Sequence, residues 1–152
     1  MSKSQLLLTV EKDDAATVVI RARVTASTFS GSGAAHFEPI NVRQTFLTAL
    51  RAFPLSSDNP PTLEGGFWKQ GAQDVLDQVH LRVIVRPHGS RGAILVHTEV
   101  ATEIWKSADA DLQQACTVRF LSSYEDLSRF TSAFSKALRD MSGEAALSSA
   151  DL

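Results

Sequence analysis

Hydrophobic and polar positions alternate most strictly between Val79 and Ala101. Leu81, Val83 and Val85 alternate with His80, Arg82 and Arg86 before Gly89 and Ser90, and Ile94, Val96 and Val100 alternate with His97 and Glu99 beyond them. A period of two is that of an antiparallel strand pair with one buried face. A two-residue type II′ turn at Gly89-Ser90 pairs His88 with Arg91. It therefore predicts His80 opposite Glu99, Arg82 opposite His97 and Val83 opposite Val96. His80, Arg82, His97 and Glu99 then share a face with Ile84 and Leu95, which implies that part of this face lies under a helix or a partner.

The same periodicity extends along the chain. Residues 6–10 and 17–28 read as a hairpin turning at Lys12 to Ala15, with Val10 facing Val18, Leu8 facing Ile20 and Leu6 facing Ala22. Arg21, Arg23 and Thr25 point the other way, as a solvated face. Ser30-Gly31-Ser32-Gly33 interrupts the pattern, and residues 35–38 form a short strand. Asn41 caps a first helix, with Gln44 able to reach back to it; Val42, Phe46, Leu50 and Phe53 recur at helical spacing until Pro54. Residues 55–62, with Pro60-Pro61, make an irregular loop. Residues 63–69 are a strand with a bulge at Gly65-Gly66, and residues 71–78 a connector. Cys116, Val118 and Phe120 mark a last strand, approached by a loop at residues 107–111. Ser122 or Ser123 caps a second helix with the apolar stripe Leu127, Phe130, Phe134, Ala137 and Met141, closed by Gly143 at C′. The order predicts an α+β fold in one domain over residues 1–143: an antiparallel β-meander of about six strands with two α-helices on one face or end. Residues 144–152 lack a pattern and read as a disordered tail.

Composition narrows the function. A chain of 152 residues that is 43% apolar can bury a core without disulfides or metal. Its formal charge of −2 lacks the basic stripe of a polynucleotide binder, so no nucleic acid is expected as a partner. The single cysteine, Cys116, cannot form an internal bridge, the N-terminus lacks the zones of a secretory signal, and the longest apolar runs are far short of a membrane span; a cytoplasmic protein with no membrane partner is expected.

Candidate chemistry is sparse. His36, His80, His88 and His97 are too scattered for a metal signature, and neither a metal nor a cofactor is expected. The sharpest possibility is a cross-strand cluster in which Glu99 orients His80 for proton transfer while Arg82 holds an anion, with His97 beside them. Its plain counterpart is a set of ordinary cross-strand pairs, each contributing roughly 0.2–1 kcal/mol. Cys116 alternates with Val118 and Phe120 and reads as a buried thiol. Trp68 and Trp105 sit near strand ends as core, rim or interaction anchors. The candidate binding residues are thus His80, Arg82, His97, Glu99, Trp68 and Trp105, and no residue is expected to be catalytic.

The layout resembles the small bacterial immunity proteins of the wall-associated-toxin (WapI-type) immunity family and its actinobacterial relatives. The likeness runs over residues 6–141, through the helix Val42-Arg43-Gln44-Thr45-Phe46-Leu47-Thr48-Ala49-Leu50, the aromatic strand Gly66-Phe67-Trp68, the central strand pair, and the strand-helix Phe120-Leu121-Ser122-Ser123-Tyr124-Glu125-Asp126-Leu127-Ser128-Arg129-Phe130. The resemblance implies a non-enzymatic protein of the bacterial cytoplasm that neutralises a toxin by binding it, and it carries over no contacting residue. The weak acidity and the long 55–62 loop depart from the layout and count against a basic nuclease as partner. Two alternatives stand beside it: an accessory protein that self-associates through a sheet edge, and a small-ligand or enzymatic domain using the His/Glu/Arg cluster.

Overall fold

A computed structural model describes residues 3–105 and 110–150. Strands β1 (Gln5–Lys12), β2 (Val18–Ala26) and β3 (Phe29–Phe37) precede helix α1 (residues 39–50). Strands β4 (Thr62–Lys69), β5 (Ala72–His88), β6 (Ala93–Ala101) and β7 (Ala115–Ser123) follow, then helix α2 (Tyr124–Asp140) and strand β8 (Ser142–Ser148). The fold is α+β and antiparallel, but its strands form two four-stranded sheets and not one meander: β3-β2-β1-β8 (sheet A) and β4-β5-β6-β7 (sheet B). α1 and the 51–61 segment carry the chain away from sheet A, and β8 returns to the free edge of β1.

The glycines of β3 explain how the sheets meet. A Cβ on Gly31 would lie 2.8 Å from Val100 of β6 and 2.9 Å from Cys116 of β7, and one on Gly33 would lie 2.2 Å from the His80 carbonyl oxygen of β5. A Cβ on Gly65 of β4 would lie 2.8 Å from Ala35. β3 therefore passes over all four strands of sheet B, the geometry of steeply crossed sheets. The Ser30-Gly31-Ser32-Gly33 stretch is thus no interruption. It is the middle of a nine-residue strand whose missing side chains permit backbone-to-backbone approach.

The core fills the space between the sheets. Leu6, Leu8, Val10, Ile20, Ala22 and Val24 face Leu81, Val83, Val85, Ile94, Val96 and Phe120. Phe46 of α1 and Leu127, Phe130, Phe134 and Leu138 of α2 close the same core, with Phe134 meeting Phe46 edge-on at 6.2 Å. Pro39 opens α1 at its first turn, where a missing N–H costs nothing, so Asn41 lies inside the helix and is not its cap. Val42, Phe46 and Leu50 are buried as their spacing predicts, whereas Phe53 lies past the helix end, 80% exposed, against Tyr124. Ser123 caps α2 by accepting the Asp126 N–H at 3.1 Å. Met141, not Gly143, takes the left-handed conformation that ends it (φ 54°), and the chain reverses straight into β8. Residues 142–148 are therefore not a frayed tail: Leu147 opposes Leu6 and Ala145 opposes Leu8, both buried, a two-residue pattern too short to stand out in the sequence. The 71–78 connector is likewise strand, because β5 begins at Ala72 and pairs with β4 through the bulge at Gly65/Gly66. Of the expected 107–111 loop, residues 107–109 lie outside the described residues, and Ala110–Leu112 is a 3-10 turn. Among the described residues, no helix is long and apolar enough to cross a membrane.

Candidate functional site

The β5–β6 hairpin closes through Gly89-Ser90-Arg91-Gly92, with His88 opposite Ala93 and both glycines at positive φ (67° and 82°). Against the two-residue turn expected from the sequence, the register moves by two residues. Arg82 therefore opposes Glu99, and His97 opposes Ile84. An even shift leaves the side chains of the paired residues on their expected faces, since only an odd one exchanges faces.

On the outer face of sheet B the shift assembles a chain of ion pairs and hydrogen bonds. Arg82 Nε donates to Glu64 Oε2 at 2.8 Å, and Arg82 Nη1 to Glu99 Oε1 at 3.2 Å. His97 Nδ1 accepts from Arg119 Nε at 3.0 Å, which leaves His97 Nε2–H to donate to Glu99 Oε2 at 2.8 Å. The ring is thus the neutral tautomer. The hydrogen bond to Glu64, followed by the Glu99 charge, holds the Arg82 guanidinium above its ordinary pKa against the opposing effect of burial. Glu99 orients His97 and not His80, and both nitrogens of that imidazole are already engaged. What the row offers is fixed charge. Ile84, Leu95 and Leu121 lie half-buried on the same face, and Arg82, Glu64 and Glu99 remain 29%, 35% and 33% exposed.

His80 departs from this group. It precedes the first β5–β6 pair, Leu81 with Val100, and is only 3% exposed. Gln78 fixes its state: the amide Nε2–H donates to the Ile104 carbonyl at 3.0 Å, Oε1 accepts the Ile104 N–H at 2.8 Å, and the same oxygen accepts His80 Nε2–H. Burial lowers the His80 pKa, with the Glu103 charge opposing. The imidazole meets Phe67 edge-on at 4.7 Å, and Phe67 backs Trp105 at 5.4 Å. Together they wall a cleft of about 580 Å³ over the β3 edge, with Trp105 64% exposed at its rim.

No family model matches the chain, and no curated protein and no solved structure matches it either. The six candidate residues fall in three places: Arg82, His97 and Glu99 on the outer face of sheet B; His80 and Trp105 in the aromatic cleft; Trp68 beside α1, 43% exposed in a second cleft of about 600 Å³. Cys116 is half-buried where β3 crosses β7. Sequence reasoning missed Glu64 and Arg119, which complete the polar chain from the neighbouring strands, and Gln78, which clamps the Trp105 segment. Counting outward from the Gly65-Gly66 bulge would have placed Glu64 beside Arg82, but nothing local in the sequence marks Gln78.

Proposed function

We propose that this chain is a non-enzymatic binding module of the immunity type, which neutralises a partner protein by docking it on the outer face of sheet B. The supporting observation is the chain Glu64–Arg82–Glu99–His97–Arg119, whose polar atoms are committed to one another on an open, half-exposed face around Ile84, Leu95 and Leu121. Side chains already held in place lose little further entropy on association, and an apolar centre within a charged surround is the usual composition of such interfaces. The imidazole and carboxylates are occupied by each other, which suits recognition better than proton transfer. A reducing compartment suits the lone Cys116.

The test is co-expression with a toxin encoded beside this chain, together with affinity measurement on the purified pair. Rescue by the wild type, lost on Leu95→Glu and retained on Arg23→Ala, is the expected result. Rescue that survives Leu95→Glu would remove this face from the interaction, and indifference to neighbouring toxins would remove the immunity reading. Self-association is a second reading, supported by the β5 edge: residues 72–79 run beyond the first β6 pair and carry Val75, 47% exposed. Light scattering separates the two, since the module expects the 16.5 kDa monomer mass and edge pairing expects a multiple of it that falls on Val75→Pro.

A further inference from the structure

The outer face of sheet A holds a second, independent arrangement. Arg21 and Arg23 stand two residues apart on β2, about 7 Å along the strand, on the same exposed side. Among the described residues neither guanidinium makes an ion pair or hydrogen bond with the protein. They line a depression of about 420 Å³ with Thr9, Ser30 and Ser32, a set of hydroxyls beside two guanidinium groups. Arg21 and Ser32 also line the aromatic cleft, so the two hollows adjoin at β3, with the arginines on one side and Trp105 on the other.

Trp105 is exposed yet not loose. Gln78 holds both backbone polar groups of the preceding Ile104, and Phe67, itself packed on buried His80, supports the indole at 5.4 Å. A rigidly backed exposed aromatic is a stacking platform. Free arginines with hydroxyls hold phosphate oxygens by charge-assisted hydrogen bonds, and the Glu103 carboxylate in the same cleft is an acceptor for hydroxyl or amino groups.

We propose that these adjoining hollows bind a free nucleotide, with its base laid on Trp105 and its phosphates held by Arg21 and Arg23. A free nucleotide fits better than a polymer, because two arginines on a chain of net charge −2 do not form the extended basic track that a polynucleotide requires. The proposal does not depend on the sheet B interface.

Isothermal titration with ATP tests it, with tripolyphosphate, adenosine and a single-stranded oligothymidine as parallel probes. ATP is expected to bind the wild type more tightly than tripolyphosphate or adenosine alone. Arg21→Ala and Arg23→Ala should each weaken ATP by about tenfold or more, at the sites of charge-assisted contacts. Trp105→Ala should weaken ATP comparably while leaving tripolyphosphate unchanged, and Trp105→Phe should restore part of the loss. Circular dichroism of each variant confirms that it is folded. Absence of ATP binding overturns the proposal, as does equal binding of ATP and tripolyphosphate, which would mark an adventitious anion site. Oligothymidine binding more than about tenfold tighter than ATP would replace the free nucleotide by a single strand.

Discussion

Gly33→Ala is the most exacting perturbation of the fold. The added methyl would sit 2.2 Å from the His80 carbonyl oxygen, 3.1 Å from the Ala101 nitrogen and 3.1 Å from Val100 Cβ. Two of these three neighbours are backbone atoms of β5 and β6, so no side chain can swing aside to relieve those contacts. Replacing glycine by alanine inside a strand ordinarily gains about 0.5–1 kcal/mol from chain entropy, whereas overpacking a rigid site costs about 1–3 kcal/mol. Contact with backbone this close places the cost at the upper end, and the net expectation is a loss of about 2 kcal/mol. Urea denaturation should show this as a lower midpoint at unchanged slope. For a chain of this size the melting temperature should fall by about 4–8 °C. Gly71→Ala, in an open turn with nothing within 4 Å but with φ at 84°, is the control, since its strain is local and leaves the sheet contact intact. A neutral or stabilising Gly33→Ala would mean that β3 does not press on sheet B, and the crossed sheets, together with the adjoining of the two hollows over β3, would be wrong.

Other consequences are smaller. Ser123→Ala removes the cap on the Asp126 N–H and the hydroxyl that most strongly holds the Asp126 carboxyl below its ordinary pKa; chemical denaturation should show a loss of about 1 kcal/mol. The hydroxyl of Thr98, fully buried between Val83 and Val118, has no hydrogen-bond partner among the described residues, so Thr98→Val is expected to gain about 1 kcal/mol, and a loss in the same assay would show that the hydroxyl is satisfied. Because burial lowers the folded-state pKa of His80 from 6.5, the unfolded chain takes up that proton first as pH falls. Its contribution to stability is therefore complete above pH 6.5 and is lost below it, so the wild type minus His80→Gln difference in unfolding free energy should decline from pH 7 to pH 5. A flat difference would place His80 in solvent.

The faces of the fold were legible from the sequence, and the pairings were not. In both expected hairpins the alternation assigned the buried aliphatic positions correctly: Leu6, Leu8 and Val10 point inward, as do Leu81, Val83 and Val85, whereas His80, expected on the outer face, is buried. In both, the register differs by two residues, Val10 opposing Ile20 and not Val18, Arg82 opposing Glu99 and not His97. The cause is the same each time. The turns are longer than the shortest closure of the strands, and hydrophobic period alone cannot distinguish registers of equal parity. That two-residue difference decides which imidazole meets Glu99, and it moves His80 out of the cluster. The division into two sheets was illegible for a different reason: it depends on β3 crossing sheet B, and the glycines that permit this look locally like a flexible break. The second helix, with Ser123, Glu125, Asp126 and the Leu127/Phe130/Phe134 stripe, was readable because its cap and apolar face are written within one short segment.

Methyl NMR of the chain, free and bound to its partner, tests the recognition surface most directly. Perturbations centred on Ile84, Leu95 and Leu121, with Leu7 and Val19 on the outer face of sheet A unchanged, are the expected result. Perturbations confined to Leu7 and Val19, with the three sheet B residues silent, would contradict it.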